Sequence, residues 1–302
     1  MSSARRVLVI PHVLQEESLA AAVETCRQLV AQGVVPVLRE AEGSVVSEAA
    51  PDLTTLEWLE SGIAIEDVDL AFAIGGDGTI LRAAEVVRDA AIPIVGVNMG
   101  HVGFLAETER DSIHETVTRV LAGDYVVQEL MALDVRVKKG SDVVFHTWAL
   151  NEATVEKASR ERMLEVVVEI NRRPLESFGC DGIVVATPTG STAYAFSAGG
   201  PVVWPEVQAM TVVPLSAHAL FARPLVVAPD AAVAVELLER SSGTGVLWCD
   251  GRRTFDLPSG ARVVVQRSKT PVRLARLNDD SFADRLVKKF DLSVYGWRGP
   301  QA

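Results

Sequence analysis

Only three cysteines stand in the 302 residues, Cys26, Cys180 and Cys249. They lie far apart and make no C-x-x-C pair, which excludes a disulfide framework and a zinc ribbon and points to a reducing cytoplasm. No apolar stretch approaches the roughly 20 uninterrupted residues of a membrane helix, so nothing is expected to span a bilayer. The opening MSSARRVLVIPHVLQEE has a short apolar run, Val7 to Ile10, before Pro11, Glu16 and Glu17. It reads as a first strand rather than a signal peptide. Basic charge is scarce: 29 Lys and Arg against 40 Asp and Glu leave a formal net charge of −11. An acidic chain repels polyanions at long range, which argues against nucleic acid or an anionic membrane as partner. None of the five histidines stands near His, Cys or a carboxylate at metal-ligand spacing. His101 and His218 are therefore expected as hydrogen-bonding loop residues, and no structural metal is expected. Internal repeats and low-complexity tracts are also missing.

What is present is a globular composition, 48% hydrophobic and 23% charged, in a chain long enough for one large or two ordinary domains. Val7 to Ile10, a helical spacing through Leu19, Val23, Cys26 and Leu29, and Val34 to Leu38 predict strand, helix, strand. Leu70 to Ile74, a glycine cluster, the helical pattern Ile80, Leu81, Ala84, Val87, and Ile92 to Val97 continue the alternation. Such an alternation implies a parallel sheet covered on both faces. Positions 40–81 hold no Lys or Arg but many acids, among them Glu40, Glu42, Glu48, Asp52, Glu57 and Glu60. Most of that stretch reads as a solvated helix and loop insertion. Asp111 to Ala122 predicts an amphipathic helix. At Gly123 the texture changes to short β-branched runs that continue to Leu277, Val272 to Leu274 included, and these predict a β-rich, sandwich-like domain. Ser281 to Phe290 returns to helical spacing. The expected architecture is an α/β domain over 1–122 and 278–302 and a β-rich domain over 123–277, the last helix packing back on the first domain.

Gly75-Gly76-Asp77-Gly78-Thr79, after a strand and before a helix, is the most informative segment. In open parallel sheets ligands bind beyond the carboxyl ends of strands, and a glycine loop at a helix N-terminus presents backbone N–H groups to an anion. It is neither a Walker A loop nor a G-x-G-x-x-G fingerprint. At its centre stands a carboxylate, a poor choice for a site that only holds phosphate. Asp77 instead suits a base that accepts the proton of an attacking hydroxyl in phosphoryl transfer, with Mg²⁺ screening the phosphates, or else it shapes a turn. Asn98 to Glu107 would form a second loop at the same sheet edge. Asp181 to Gly200 runs from a strand into a loop of small hydroxyl residues with Tyr194 as a stacking face, which suits a nucleoside. Asn151-Glu152 closes an apolar run, and Glu152 can accept from a diol while Asn151 both donates and accepts.

GGDGT at 75–79, NMGHVGFLAE at 98–107, NE at 151–152 and DGIVVATPTGSTAYAFSAGGP at 181–201, in that order, resemble the NAD kinase family over nearly the whole chain. GGDGT alone is also similar to loops of diacylglycerol kinases, sphingosine kinases and phosphofructokinases, whereas TPTGSTAY with NE upstream is far more specific. The resemblance implies transfer of the γ-phosphoryl of ATP to the 2′-hydroxyl of the adenosine ribose of NAD⁺, with a divalent cation such as Mg²⁺. It implies Asp77 as proton acceptor, Gly76, Gly78 and Thr79 beside the dinucleotide, and Phe104 against adenine. Asn151 and Glu152 would bind the adenosine part and Asp181 would face the nicotinamide end. Thr192, Ala193, Tyr194, Ala195, Phe196 and Ser197 would line the nucleoside pocket. Arg82 and Arg162 are candidate phosphate contacts, since arginine offers a fork of donors. The family also implies a homodimer or homotetramer, with segment 181–201 shared between neighbours. Where the family has Gln or His after Asp-Gly, this chain has Asp250-Gly251-Arg252. The competing readings are a lipid kinase, for which the chain lacks a polybasic patch, and a non-catalytic NAD sensor, against which Asp77 argues.

Overall fold

The computed structural model describes residues 5–100, 103–106, 108–109, 113–160, 162–219, 222–241, 243–277 and 281–294, the side chains of 108–109 apart. Two compact units emerge, one of Met1–Glu129 with Val272–Ala302 and one of Leu130–Pro271.

The first unit starts with β1 (Arg6–Pro11), α1 (Glu16–Ala31), β2 (Val35–Leu38), α2 (Glu40–Ala49) and β3 (Glu57–Trp58). It continues with β4 (Leu70–Ile74), α3 (Asp77–Val87), β5 (Ile94–Asn98), β6 (Thr108–Glu109), α4 (Ile113–Leu121) and β7 (Val126–Leu130). The sheet order is β3-β2-β1-β4-β5, and β1 pairs in parallel with both β2 and β4. Both central strands are apolar and buried on both faces, which only a sheet covered twice permits. Val7, Val9, Leu70, Phe72 and Ile74 meet the buried faces of α1, α2 and α4. The opposite face receives α3, whose Ile80 lies against Gly96 of β5. Strand order reverses between β1 and β4, so the loops after these strands flank the switch point of the sheet.

The second unit contains β8 (Leu133–Lys139), β9 (Asp142–Ala149), β10 (Glu152–Lys157), β11 (Leu164–Ile170), β12 (Arg173–Cys180) and β13 (Gly182–Ala186). After α5 (Tyr194–Ser197) come β14 (Met210–Leu215), β15 (Leu225–Val227), β16 (Val233–Leu237), β17 (Gly245–Cys249), β18 (Arg253–Leu257) and β19 (Ala261–Arg267). Two six-stranded antiparallel sheets, ordered β15-β14-β13-β10-β17-β18 and β12-β11-β16-β19-β8-β9, enclose one core. In β8 the buried Leu133, Val135 and Val137 alternate with Asp134, Arg136 and Lys138, the period of a half-buried strand. β13 departs from alternation and is buried throughout, because Ala195 and Ala198 cover its outer face at Val184 and Ala186.

β20 (Val272–Arg276) then joins the sheet of the first unit, parallel to β5, with β7 beyond it, and α6 (Phe282–Phe290) follows. The expectation that β-branched runs up to Leu277 belong to the second domain is therefore corrected. A strand buried in a parallel sheet and one in a sandwich have the same β-branched composition, and only pairing partners tell them apart. The observed boundaries fall at 129/130 and 271/272 rather than at 122/123 and 277/278.

The acidic stretch after Arg39 forms α2, as expected, and adds β3, which was not. Its charges are met by arginines from outside it: Arg6 with Glu57 at 2.6 Å, Arg27 with Asp52 at 3.0 Å, Arg39 with Glu60 at 3.2 Å and Arg82 with Glu42 at 2.5 Å. Among the described residues all three cysteines are free and buried, and no helix is long and apolar enough to cross a membrane. His101 lies outside the described residues.

Candidate functional site

In the first unit the chain leaves β4 at Ile74, whose carbonyl accepts from the His12 N–H at 2.9 Å and from the Ser18 hydroxyl at 2.6 Å. The Gly75 N–H donates to Val97 O at 2.9 Å, so the loops after β1, β4 and β5 are tied at one edge. Asp77 is the first residue of α3, where a negative charge suits the helix dipole. Its carboxylate does not cap its own helix. Instead Oδ2 accepts from the Phe104 N–H at 3.0 Å and Oδ1 from the Leu105 N–H at 3.1 Å. The approach is close enough that a Cβ on Gly103 would collide with Oδ1. A carboxylate has about four lone-pair positions, so each oxygen keeps accepting capacity after these bonds. Gly76 and Gly78 have open space where a Cβ would sit, and Gly78 is exposed. Thr79 is buried, with Oγ1 lacking a hydrogen-bond partner among the described residues. A hollow of about 360 Å³ beside Gly76 is lined by Glu16, Glu17, Asn98 and Met99.

Two residues expected at the ligand also have partners within the protein. Arg82 donates to the buried Glu42 at 2.5 Å and to Pro11 O at 3.4 Å. A buried carboxylate in a stretch without its own cations needs a partner, and this guanidinium supplies it as a structural countercharge. The Phe104 ring lies 5.7 Å from that of Phe282 and 6.0 Å from that of Phe290, both on α6. The last helix thus does pack on the first unit, with Ser281 capping it through the Asp284 N–H.

In the second unit Asn151 and Glu152 stand where β9 passes into β10. Their N–H groups and that of Leu150 all converge on the Asp250 carboxylate, at 2.7, 3.3 and 2.9 Å. Arg253 pairs with the same carboxylate at 2.6 Å and lies over the Trp148 ring at 4.3 Å. Asp250 opens an Asp-Gly turn between β17 and β18, with φ of 54° at Asp250 and 63° at Gly251. Sequence reasoning weighed Arg252 and missed Asp250; the Asp-Gly turn signal was there to be read. Glu152 is buried beside this second carboxylate. Burial, then the Asp250 charge, push its carboxyl up to about 8 despite a hydrogen bond from the Tyr194 N–H. Burial also raises Asp250, which three N–H groups and Arg253 pull back. Glu152 Oε2 has no partner among the described residues. At neutral pH Glu152 can therefore donate an O–H as well as accept.

The loop after β13 folds onto that dipeptide at Gly190, where any Cβ would collide with the Asn151 carbonyl. Three of its hydroxyls donate to nearby backbone carbonyls. Thr187 donates to Leu150 O at 2.6 Å, Ser191 to Pro188 O at 2.7 Å and Thr192 to Thr189 O at 3.2 Å. These bonds satisfy buried carbonyls, as a tight turn requires, and each hydroxyl keeps lone pairs with which to accept. Ala195 is fully buried against Val184, Ala186 and Val213. Tyr194 and Ser197 do border an open hollow of about 510 Å³, together with Asp181, Glu156 and Lys157, while Phe196 is exposed. Asp181 pairs with Lys157 at 2.6 Å. Arg162 is exposed in the loop between β10 and β11. Ala193 is half-buried at the joint between the two short helical turns.

A glycine loop with a held carboxylate at the switch point of a doubly wound sheet, and a sandwich bearing a buried acidic pair beside a folded Gly/Ser/Thr loop, define a two-domain nucleotide kinase. Residues 7–125 match the family model of the ATP-NAD kinase N-terminal domain, and residues 150–277 that of the ATP-NAD kinase C-terminal domain. The chain is 62% identical over 300 residues to the NAD kinase of Leifsonia xyli subsp. xyli, covering 99% of each. It is 53% identical to that of Thermobifida fusca, over 99% of this chain and 93% of the relative. Its fold is similar to the crystal structure of yeast NADH kinase complexed with NADH, at a TM-score of 0.86 and 21% identity, over 96% of this chain and 89% of the other. The chain belongs to the ATP-NAD kinase family, and its activity is the phosphorylation of NAD with ATP as donor.

Proposed function

We propose that Asp77 accepts the proton of the 2′-hydroxyl of the adenosine ribose of NAD⁺ as that oxygen attacks the γ-phosphoryl of ATP, giving NADP⁺ and ADP. The observation that carries this reading is the Asp77 carboxylate, fixed through both oxygens by the Phe104 and Leu105 N–H groups yet still able to accept. A ribose hydroxyl is a very weak acid, so a base assists only when held in reach while the phosphoryl group is held in line. Gly76, Gly78 and Thr79 lie where phosphates would approach the N-terminus of α3. Phe104 offers a ring to adenine from within its aromatic cluster. Asn151 and Glu152 bind the adenosine part, the Glu152 O–H donating to an adenine nitrogen or a ribose oxygen. Asp181 takes the nicotinamide end, Tyr194, Ser197, Ala193 and Phe196 border the nucleoside, and Arg162 contacts phosphate.

Among the described residues no group of three or more His, Cys, Asp or Glu side chains converges to hold a metal ion. We therefore assign the divalent cation to the nucleotide, arriving on its phosphates as part of the substrate, as such ions commonly do in kinases. Glu16 and Glu17 at the hollow beside Gly76 suit a cation-bearing nucleotide better than a bare one. The enzyme works in the cytoplasm as a homodimer or homotetramer, in keeping with exposed Tyr194, Phe196 and Trp204 on and just after segment 181–201.

The test is NADP⁺ formation from NAD⁺, Mg²⁺ and ATP, read with an NADP-specific dehydrogenase, for the wild type and Asp77→Asn. Loss of a positioned base should cost about 10²–10⁴ in kcat with NAD⁺ binding retained by calorimetry. Equal losses in turnover and binding would contradict the role of Asp77. Absence of NADP⁺ from the wild type, with NAD⁺ bound, would point to the sensor.

A further inference from the structure

The dipeptide that holds Asp77 is itself held from behind. Arg285 Nη1 donates to Phe104 O at 2.8 Å, and Arg276 Nη1 donates to Leu105 O at 3.1 Å. Both arginines come from the far end of the chain, Arg276 from the last residue of β20 and Arg285 from α6. Phe104 O and the Leu105 N–H belong to one peptide unit. That unit is planar and trans, so its carbonyl and its N–H point in opposite directions and cannot turn independently. A guanidinium that fixes the carbonyl therefore fixes the N–H that reaches Asp77 Oδ1 at 3.1 Å. A charge-assisted bond to the carbonyl also polarises the unit and strengthens the N–H as a donor. Arg276 acts one peptide further on, and its Nε is in turn held by Gln128 Oε1 at 2.7 Å. The rings of Phe282 and Phe290 close on Phe104 at 5.7 and 6.0 Å. The half-buried face of α6 brings three side chains, those of Phe282, Arg285 and Phe290, onto Phe104.

We propose that Arg285, assisted by Arg276, is a positioning residue for phosphoryl transfer: through the Phe104–Leu105 peptide it sets the orientation of the Asp77 carboxylate. The inference rests on Asp77 being the proton acceptor. The experiment compares the full-length wild type with Arg285→Ala, Arg285→Lys, Asp77→Asn and the double variant, by steady-state NADP⁺ formation with NAD⁺ and ATP each varied. Misplacement of a reacting group on the ångström scale is costly, so Arg285→Ala should lose about tenfold in kcat while both KM values stay within about twofold. Arg285→Lys, which keeps a cationic donor, should recover part of the rate. In the Asp77→Asn background Arg285→Ala should cost nothing more, because the group it positions is gone. Full kcat in Arg285→Ala with loss in Asp77→Asn would overturn the proposal and leave the role of Asp77 intact. The same loss from Arg285→Ala in both backgrounds would also overturn it, since the arginine would then act elsewhere. Wild-type kcat in Asp77→Asn would overturn the reading of Asp77 and the proposal with it. Should Arg285→Ala not fold, Arg285→Gln carries the same criteria.

Discussion

Glu152 shows how burial changes what a residue can do. Its dipeptide meant little in the sequence, and its partner Asp250 was passed over because the two stand 98 positions apart. Together they make a buried carboxyl that holds its proton up to about pH 8. The consequence for stability has a definite sign. The unfolded chain loses this proton near the ordinary Glu value of about 4.3 and the folded one keeps it, so stability falls as pH rises through that window and the loss is complete above about 8. Glu152→Gln cannot ionise. Unfolding free energies of the two proteins from urea titrations between about pH 4.5 and about 9 should diverge in favour of the variant as pH rises, by on the order of a few kcal/mol. A pH-independent difference would show that Glu152 is ionised in the fold. Asp77 teaches the complementary lesson: its type and loop were legible, but the N–H donors at 104 and 105 that hold it were not.

Among the elements, the loop after β13 does two jobs that its Gly/Ser/Thr composition does not separate. Ala195 and Ala198 roof the outer face of β13, and Gly190 lets the loop press on the Asn151 backbone. Gly190→Ala should push the loop off that dipeptide, costing about 1–3 kcal/mol in urea unfolding, and should raise the KM for NAD⁺ more than it lowers kcat. An unchanged KM would mean that the loop and the dipeptide serve no common ligand. The acidic stretch of α2 and β3 illustrates a second limit. Its negative charge was read as solvation, yet Glu42 is buried, and satisfying it draws in Arg82. A charge run reports an average; one member inside the core changes the fate of a distant cation.

At the scale of the molecule, the proposed assembly would bring chains of net charge −11 together against their own repulsion. If exposed Tyr194, Phe196 and Trp204 carry the assembly, attraction is apolar and repulsion is screened by salt. Sedimentation should therefore give a dimer or tetramer that tightens as salt rises from about 50 mM to about 500 mM. A monomer with full activity would sink the inferred assembly.

The sequence by itself determined the classes of element and most of their places. Short apolar runs and period-3.6 apolar patterns depend on neighbours along the chain, and so β1, β4, α3 and α6 were legible, as was the Gly75–Thr79 loop between a strand and a helix. Four ordered segments carry the resemblance to the family and with it the candidate site residues. Tertiary structure alone decided where β20 pairs, that Arg82 answers Glu42, that Asp250 gathers the N–H groups of 150–152, and that α6 closes on Phe104. Each of these is a contact between positions far apart in sequence. Such contacts are chosen by what remains unsatisfied once the chain has collapsed, a buried charge, an unpaired carbonyl or an open strand edge, and no local pattern records that need.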